Sequence, residues 1–363
     1  METYDVGSLP PRLSDETLGR GADAYSSLQH LLGGSPEAEA FEAEVIRGLV
    51  DKLRAGLDIP NYPQFRDMNQ MFFKLMRGLS REGDIYVSHG ISMRPGASIP
   101  EVEVVKGNIS LIVDEAGIDH LRLKLCVTGP YTLSLQFGYR DGRLMEELAD
   151  ALSAIVESSI FKVKRGETAL LAVDEPAFGL LDDPLLDRGS EGRESLLRAW
   201  ERLFASASSR GLETIIHLHD TSDTLYLEAE HLDIIESHVD DPLYRDEKMI
   251  SRVLEADKRV KASISRSDFD ALIAQRLNIP AGSEEAPRRI GEVWSEIRRG
   301  RLRAVDFLED VKLMERRLRL IVERFGAENV PYAGPECGLK GFPDYDSALE
   351  VLRRVSEAAS KSI

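Results

Sequence analysis

The sequence predicts a (β/α)8 TIM barrel, and three observations carry that expectation. Short runs rich in β-branched residues alternate with amphipathic helical segments, the βαβα pattern of a parallel sheet or barrel. Eight such runs can be read along the chain. Polar residues gather just past the ends of these runs, and in a barrel the carboxyl ends of all strands open on one face. An open doubly wound sheet is the alternative architecture. The 363 residues supply ample core for one barrel, and 1–363 is read as a single catalytic domain.

The elements follow in order. Tyr4–Val6 is the first strand and ends at Gly7-Ser8. A helix at Glu37–Ala55 leads to the strand Gly56–Ile59, which ends at Asn61. Tyr62–Leu79 reads as the next helix. Pro100–Ala116 also reads as helical, although Glu101–Lys106 alternates like a strand and, with Ile85–Ile91, would make a β-hairpin excursion around 85–110. Leu121–Val127 ends at Thr128-Gly129-Pro130, and Leu144–Arg165 is helical. Ala169–Asp174 ends at Glu175-Pro176, and Gly192–Arg210 is helical. Thr214–His219 ends in two histidines, and Leu232–Glu236 follows, with His238 just beyond. Tyr244–Ala256 is a helix before the strand Val260–Ile264, which ends at Ser265-Arg266. Helices at Ala286–Arg299 and Ala304–Phe325 precede the strand Val330–Ala333; Glu336-Cys337 and the helix Asp344–Lys361 close the pattern.

Composition narrows the partners. A net charge of −17 and a pI near 5.0 argue against nucleic acid or an anionic membrane surface. No stretch reaches the ~18 apolar residues of a membrane span, and Met1–Asp5 lacks the basic and apolar regions of a signal peptide. Two cysteines, Cys126 and Cys337, make no disulfide framework. A reducing cytoplasmic location is expected.

The chemistry starts from His217 and His219. Residues at i and i+2 on a strand share a face, so both imidazoles project from one strand's carboxyl end. Glu236 ends an apolar run, where an acid needs a partner or a cation. Cys337 stands in a Pro335–Gly338 loop that gives it no obvious packing duty. Together these residues make a His₂GluCys set suited to Zn²⁺, with His238 and Asp240 as rival ligands. The plainer alternatives are two hydrogen-bonded histidines under a loop and a small buried cysteine. In Asp174-Glu175-Pro176, capping a helix explains one acid, while the other would suit a substrate ammonium. Thr128-Gly129-Pro130 and Gly7-Ser8 are turns, and the latter's backbone N–H groups are candidates for a substrate carboxylate.

Taken together, Gly7-Ser8-Leu9-Pro10, Thr128-Gly129-Pro130, Val173-Asp174-Glu175-Pro176, His217-x-His219, Ile235-Glu236 and Pro335-Glu336-Cys337-Gly338-Leu339-Lys340 resemble the C-terminal catalytic barrel of the cobalamin-independent methionine synthase family. The resemblance implies a barrel shared with uroporphyrinogen decarboxylase. It also implies a Zn²⁺ that binds homocysteine as thiolate for methylation to methionine. By position, His217, Glu236 and Cys337 match three zinc ligands, and His219 stands where the family has a cysteine. A shifted register would instead put Thr221 in the cysteine's place. Ser8 and Asp174 match contacts to the amino acid's carboxylate and amine, and Gly129 and Pro130 line the substrate site.

Departures bear on the methyl donor. Gln136 or a near neighbour stands for a tryptophan that stacks on folate, and Arg266 stands for a histidine that protonates the leaving folate. Another amine-binding acid is replaced within Asn61-Tyr62-Pro63-Gln64. The family's N-terminal barrel has no counterpart in this sequence. These changes suit methylcobalamin or a corrinoid protein as donor, since a cobalt-bound methyl needs no protonated leaving group. Transfer to another thiol such as coenzyme M is the alternative, as is a non-catalytic metal-binding homologue; a decarboxylase-like lyase would not need the ligand set.

Overall fold

In the computed structural model, which describes residues 1–26, 34–280 and 282–361, the first strand is β1 (Glu2–Thr3). β2 (Met76–Glu82) and β3 (Ile85–Met93) form a separate antiparallel ribbon. The main sheet is built from β4 (Leu121–Thr128), β6 (Gly166–Glu175), β7 (Glu213–Leu218), β8 (Ile234–Glu236), β9 (Arg259–Ser265) and β10 (Tyr332–Pro335), with β1 paired to β10. All these pairings are parallel, in the order β1-β10-β9-β8-β7-β6-β4, and a two-residue β5 (Lys162–Val163) pairs antiparallel with β6.

The two edges of this curled sheet are bridged by the segment 58–64. Asp58 N and Ile59 N donate to Thr3 O on one side (3.1 and 3.0 Å). On the other side Lys124 N donates to Pro60 O (2.9 Å) and Tyr62 N to Lys124 O (3.3 Å). The expected eighth stave therefore exists as an irregular strand, and the TIM barrel predicted from the alternating runs is the fold.

Amphipathic helices cover the outside. Pro36–Arg54 starts with Ser35 capping Ala38 N, and Pro36 sits in the first turn, where a missing N–H costs nothing. Gly142–Ser159 and Glu191–Ser208 bury their leucine and alanine faces side by side, capped by Asp141 and Ser190. Among the described residues no helix is long and apolar enough to cross a membrane.

Several expectations are corrected. The first strand is Glu2–Thr3 rather than Tyr4–Val6, and Ala304–Phe325 divides into a short 3₁₀ turn (Ala304–Phe307) and the helix Val311–Phe325. Tyr62–Leu79 is not one helix: only Gln70–Phe73 is helical before the chain enters β2. The hairpin is Met76–Met93, not 85–110, because Pro100–Gly107 and Ile109–Ala116 are helices. The alternation at Glu101–Lys106 misleads because Glu101 is itself buried, in a bidentate pair with Arg66 (2.6 Å each). β2 hid its period because it is largely exposed and carries a bulge at Gly78. There φ is +76°, and a Cβ would lie 2.0 Å from Gly90 O.

The barrel interior is unusually polar. Lys52 enters from the helix Pro36–Arg54 and is fully buried. Its ammonium meets Asp5 (2.6 Å) and the carbonyls of Gly7 (2.8 Å) and Asn61 (3.0 Å), while Asp5 also accepts from Asn61 N (2.9 Å). This staple sits where the ladder is thinnest. Lys52→Met would leave Asp5 buried and unpaired, and is expected to cost roughly 3–5 kcal/mol in chemical denaturation. Arg288→Met, at the exposed pair with Glu292, should change stability little.

Candidate metal centre

In-register pairing aligns Asp174 on β6, His217 on β7 and Glu236 on β8 at one level of the barrel wall. His219 and His238 stand two residues beyond, at the mouth. Cys337 arrives from the loop after β10. The ligand atoms of His217, His219, His238 and Cys337 all lie within 4.8 Å of one another. Cys337 Sγ is 3.5 Å from His219 Nε2, and the His219 and His238 rings are 4.1 Å apart between centroids.

The loop carrying Cys337 is fixed at both sides. Leu339 N donates to Ser8 O (2.9 Å), and at Gly338 a Cβ would stand 2.0 Å from Ser8 Oγ, so a larger residue there would displace the Ser8 hydroxyl. Glu336 is buried and accepts from Val239 N (2.8 Å) and Ser267 N (2.9 Å). It thereby ties the Cys337 loop to the one bearing His238.

Electrostatics make this a place for a cation. Burial would raise the Cys337 thiol, but the imidazoles of His217, His219 and His238 gathered around it and the charge on His217 hold it well below its ordinary value. Burial would lower His217, yet Cys337 and Glu236 outweigh it and lift it to about 10. His219 is shifted downward by burial, against the pull of Cys337. A proton drawn so strongly between a thiolate and an imidazole is what a metal ion displaces. Both His217 nitrogens and His238 Nε2 are buried without a hydrogen-bond partner. Three imidazoles and a thiolate are the donors that Zn²⁺ favours, so the residues fit that ion.

Glu236, expected among the ligands, lies outside this cluster. Its Oε2 is 2.7 Å from Lys261 Nζ; its Oε1 is 3.8 Å from Lys124 Nζ and 3.2 Å from His217 Nδ1, with all four side chains buried. Burial opposes its ionisation, but Lys261, Lys124 and His217 hold its pKa well below the usual range. Thr221 gives its hydroxyl to Asp241 and is fully buried, so it presents no ligand.

A cavity of about 370 Å³ opens on the centre, lined by His217, His219 and Cys337 together with Ser8, Asp174 and Gln64. Burial raises Asp174 to about 6, against the pull of His217 and Lys124. Gln64 joins this wall because its N–H donates to Gly7 O (3.2 Å). Lys340 and Arg66 also line it. Arg66 is missed by sequence reasoning because its pairing with Glu101 spans distant segments.

Other expected residues are placed elsewhere. Gly129 and Pro130 do not line the cavity; they open a short helix (Pro130–Ser134) whose N–H groups at Tyr131 and Thr132 are capped by Glu175 (2.9 and 2.7 Å). Glu175 also accepts from Trp200 Nε1 (2.9 Å). One acid of the Asp-Glu pair is thus a cap and the other faces the cavity. Gln136 supports the hairpin, its carbonyl accepting from Tyr86 N (2.8 Å). Arg266 is tied to Asp240 and to Glu309 (3.6 Å) and does not line the cavity.

No family model matches the chain. A methionine synthase from Sulfurisphaera tokodaii is 28% identical over 147 residues, a match covering 38% of this chain and 42% of that relative's length. The B12-independent methionine synthase of Shewanella sp. W3-18-1, solved with selenomethionine, superposes with a TM-score of 0.61 at 15% identity, covering 99% and 97% of the two chains. A putative vitamin-B12-independent methionine synthase from Listeria monocytogenes gives 0.57 at 15%, covering 99% and 98%. These two share the fold with this chain across almost its whole length.

The Glu336 clamp generates a test. Glu336→Ala should lower affinity for a divalent metal roughly 10–100-fold, the usual worth of a contact that orients ligands, as read by competition with a chromophoric chelator. Unchanged affinity would remove the clamp from the centre's assembly.

Proposed function

We propose that this chain, which resembles the cobalamin-independent methionine synthases in motifs and fold, is a zinc-dependent methyltransferase acting on a small thiol, homocysteine, to give methionine. The observation that carries the reading is the His217, His219 and Cys337 cluster opening on a cavity that also contains Asp174 and Ser8. Zinc held by His217, His219 and Cys337 would lower the pKa of the substrate thiol and keep it as thiolate.

The remaining roles belong to the protein. The Asp174 carboxylate faces the cavity with Oδ1 unpartnered and suits the substrate ammonium. Ser8, held beside the Cys337 loop, offers its hydroxyl to the carboxylate. A sulfonate thiol such as coenzyme M brings no amine and would leave Asp174 without a counter-charge, so an amino-acid thiol is favoured. A methylcorrinoid is the proposed donor. Arg266 is held by two acids and does not line the cavity, so it is not placed to deliver the proton that a folate leaving group requires.

Zinc-loaded protein given homocysteine should form methionine with methylcobalamin and not with methyltetrahydrofolate. Methionine from the folate would overturn the donor, and silence with both would overturn the methyl-transfer reading. Asp174→Asn should raise the KM for homocysteine about 10–100-fold, the worth of one charge-assisted contact of roughly 1.5–3 kcal/mol, with a smaller change in kcat. An unchanged KM would remove Asp174 from amine recognition.

A further inference from the structure

We propose that His238, and not Glu236, completes the metal centre, so that the cation is held by three imidazoles and a single thiolate. This rests on the reading that the cluster binds a divalent metal, and goes beyond it in naming the ligand set and its charge.

Geometry carries the argument. Bonds of about 2.0–2.3 Å to a tetrahedral ion set its donors roughly 3.3–3.8 Å apart. The four donor atoms of His217, His219, His238 and Cys337 are already within 4.8 Å, a gap that small side-chain rotations close. His238 Nε2 is buried with no hydrogen-bond partner, which a coordinate bond would satisfy. The peptide group that follows it is held at both its carbonyl and its N–H. Asp241 N donates to His238 O (3.1 Å), and Val239 N donates to Glu336, the neighbour of Cys337.

The rivals are occupied. Glu236 is the counter-ion of Lys261 and Lys124, both fully buried. Turning its carboxylate to a metal would leave these lysines desolvated and unpaired, a far larger loss than redirecting one imidazole. Asp240 is held by Arg245 and Arg266, and Thr221 by Asp241.

The charge follows. With one anionic ligand the centre keeps a formal positive charge, which an incoming thiolate neutralises. The site is therefore selective for an anionic sulfur ligand over neutral water. The bound sulfur would also be less electron-rich than at a centre with more anionic ligands, so it calls for an activated methyl donor.

The test uses Co²⁺ and Zn²⁺ alone as probes. Wild-type protein should bind Co²⁺ with a thiolate-to-metal charge-transfer band, and the zinc X-ray absorption spectrum should fit one sulfur and three imidazoles. His238→Ala should weaken Co²⁺ binding by more than the roughly 100-fold ceiling of a supporting contact and alter the d–d bands. The double variant Glu236→Gln/Lys261→Met removes one charge of each sign from the core; because Glu236 also touches His217 (3.2 Å), it should weaken Co²⁺ binding by no more than the roughly 100-fold of a supporting contact and keep the one-sulfur, three-imidazole spectrum. Full affinity in His238→Ala, metal loss in the double variant, or a wild-type spectrum of two imidazoles and a carboxylate would overturn the ligand set. Failure of the wild type to bind Co²⁺ would overturn the metal reading itself. The wild-type spectrum decides the matter even where a variant does not fold.

Discussion

Three lysines sealed inside the barrel are the constraint on which the rest depends. Lys52, Lys124 and Lys261 have no solvent access, and an ammonium in that environment is tolerated only beside a carboxylate. Asp5 answers Lys52, and Glu236 answers Lys261 and, at longer range, Lys124. The Tyr4 ring, with Lys124 and Lys261 Nζ at 4.8 and 5.3 Å from its centroid, fills the space between them. The first pairing draws the irregular stave 58–64 against its neighbours and closes the barrel. The second fixes a carboxylate one layer beneath the mouth.

Above that layer a different logic holds. Soft donors converge from three strand ends, and Glu336 couples their loops through two backbone N–H groups. Glu236 is ion-paired with the lysines beneath it and stands beside His217. The core carboxylate is thus compensated within the core, and the cluster at the mouth is made of imidazoles and a thiol.

Much of this was legible in the sequence. Alternating runs and strand-end polarity gave the barrel, and the period-2 rule put His217 and His219 on one face. The Pro335–Lys340 motif singled out Cys337; of the acid pair, Glu175 is the helix cap and Asp174 lines the cavity. Of the hairpin only the second strand was legible, at Ile85–Ile91; its partner Met76–Glu82 was not, since a half-exposed, bulged strand carries no clean alternation. Glu101 misled for the opposite reason: a charged residue buried against Arg66 breaks the rule that burial follows hydrophobicity.

The sequence by itself determined the fold class and the kinds of donor available, because periodicity and residue chemistry are local properties. Which donors meet was decided only by the tertiary structure. Glu236 ends its strand as the sequence indicates, but its pairing with Lys261 from the next strand and Lys124 from a distant one appears only in three dimensions. His238 and Asp240 are equal rivals in the sequence; the clamp from Glu336 brings the loop of His238 beside Cys337, while Arg245 and Arg266 draw Asp240 away. Charge compensation in a medium without water acts through space, and no spacing along the chain records it.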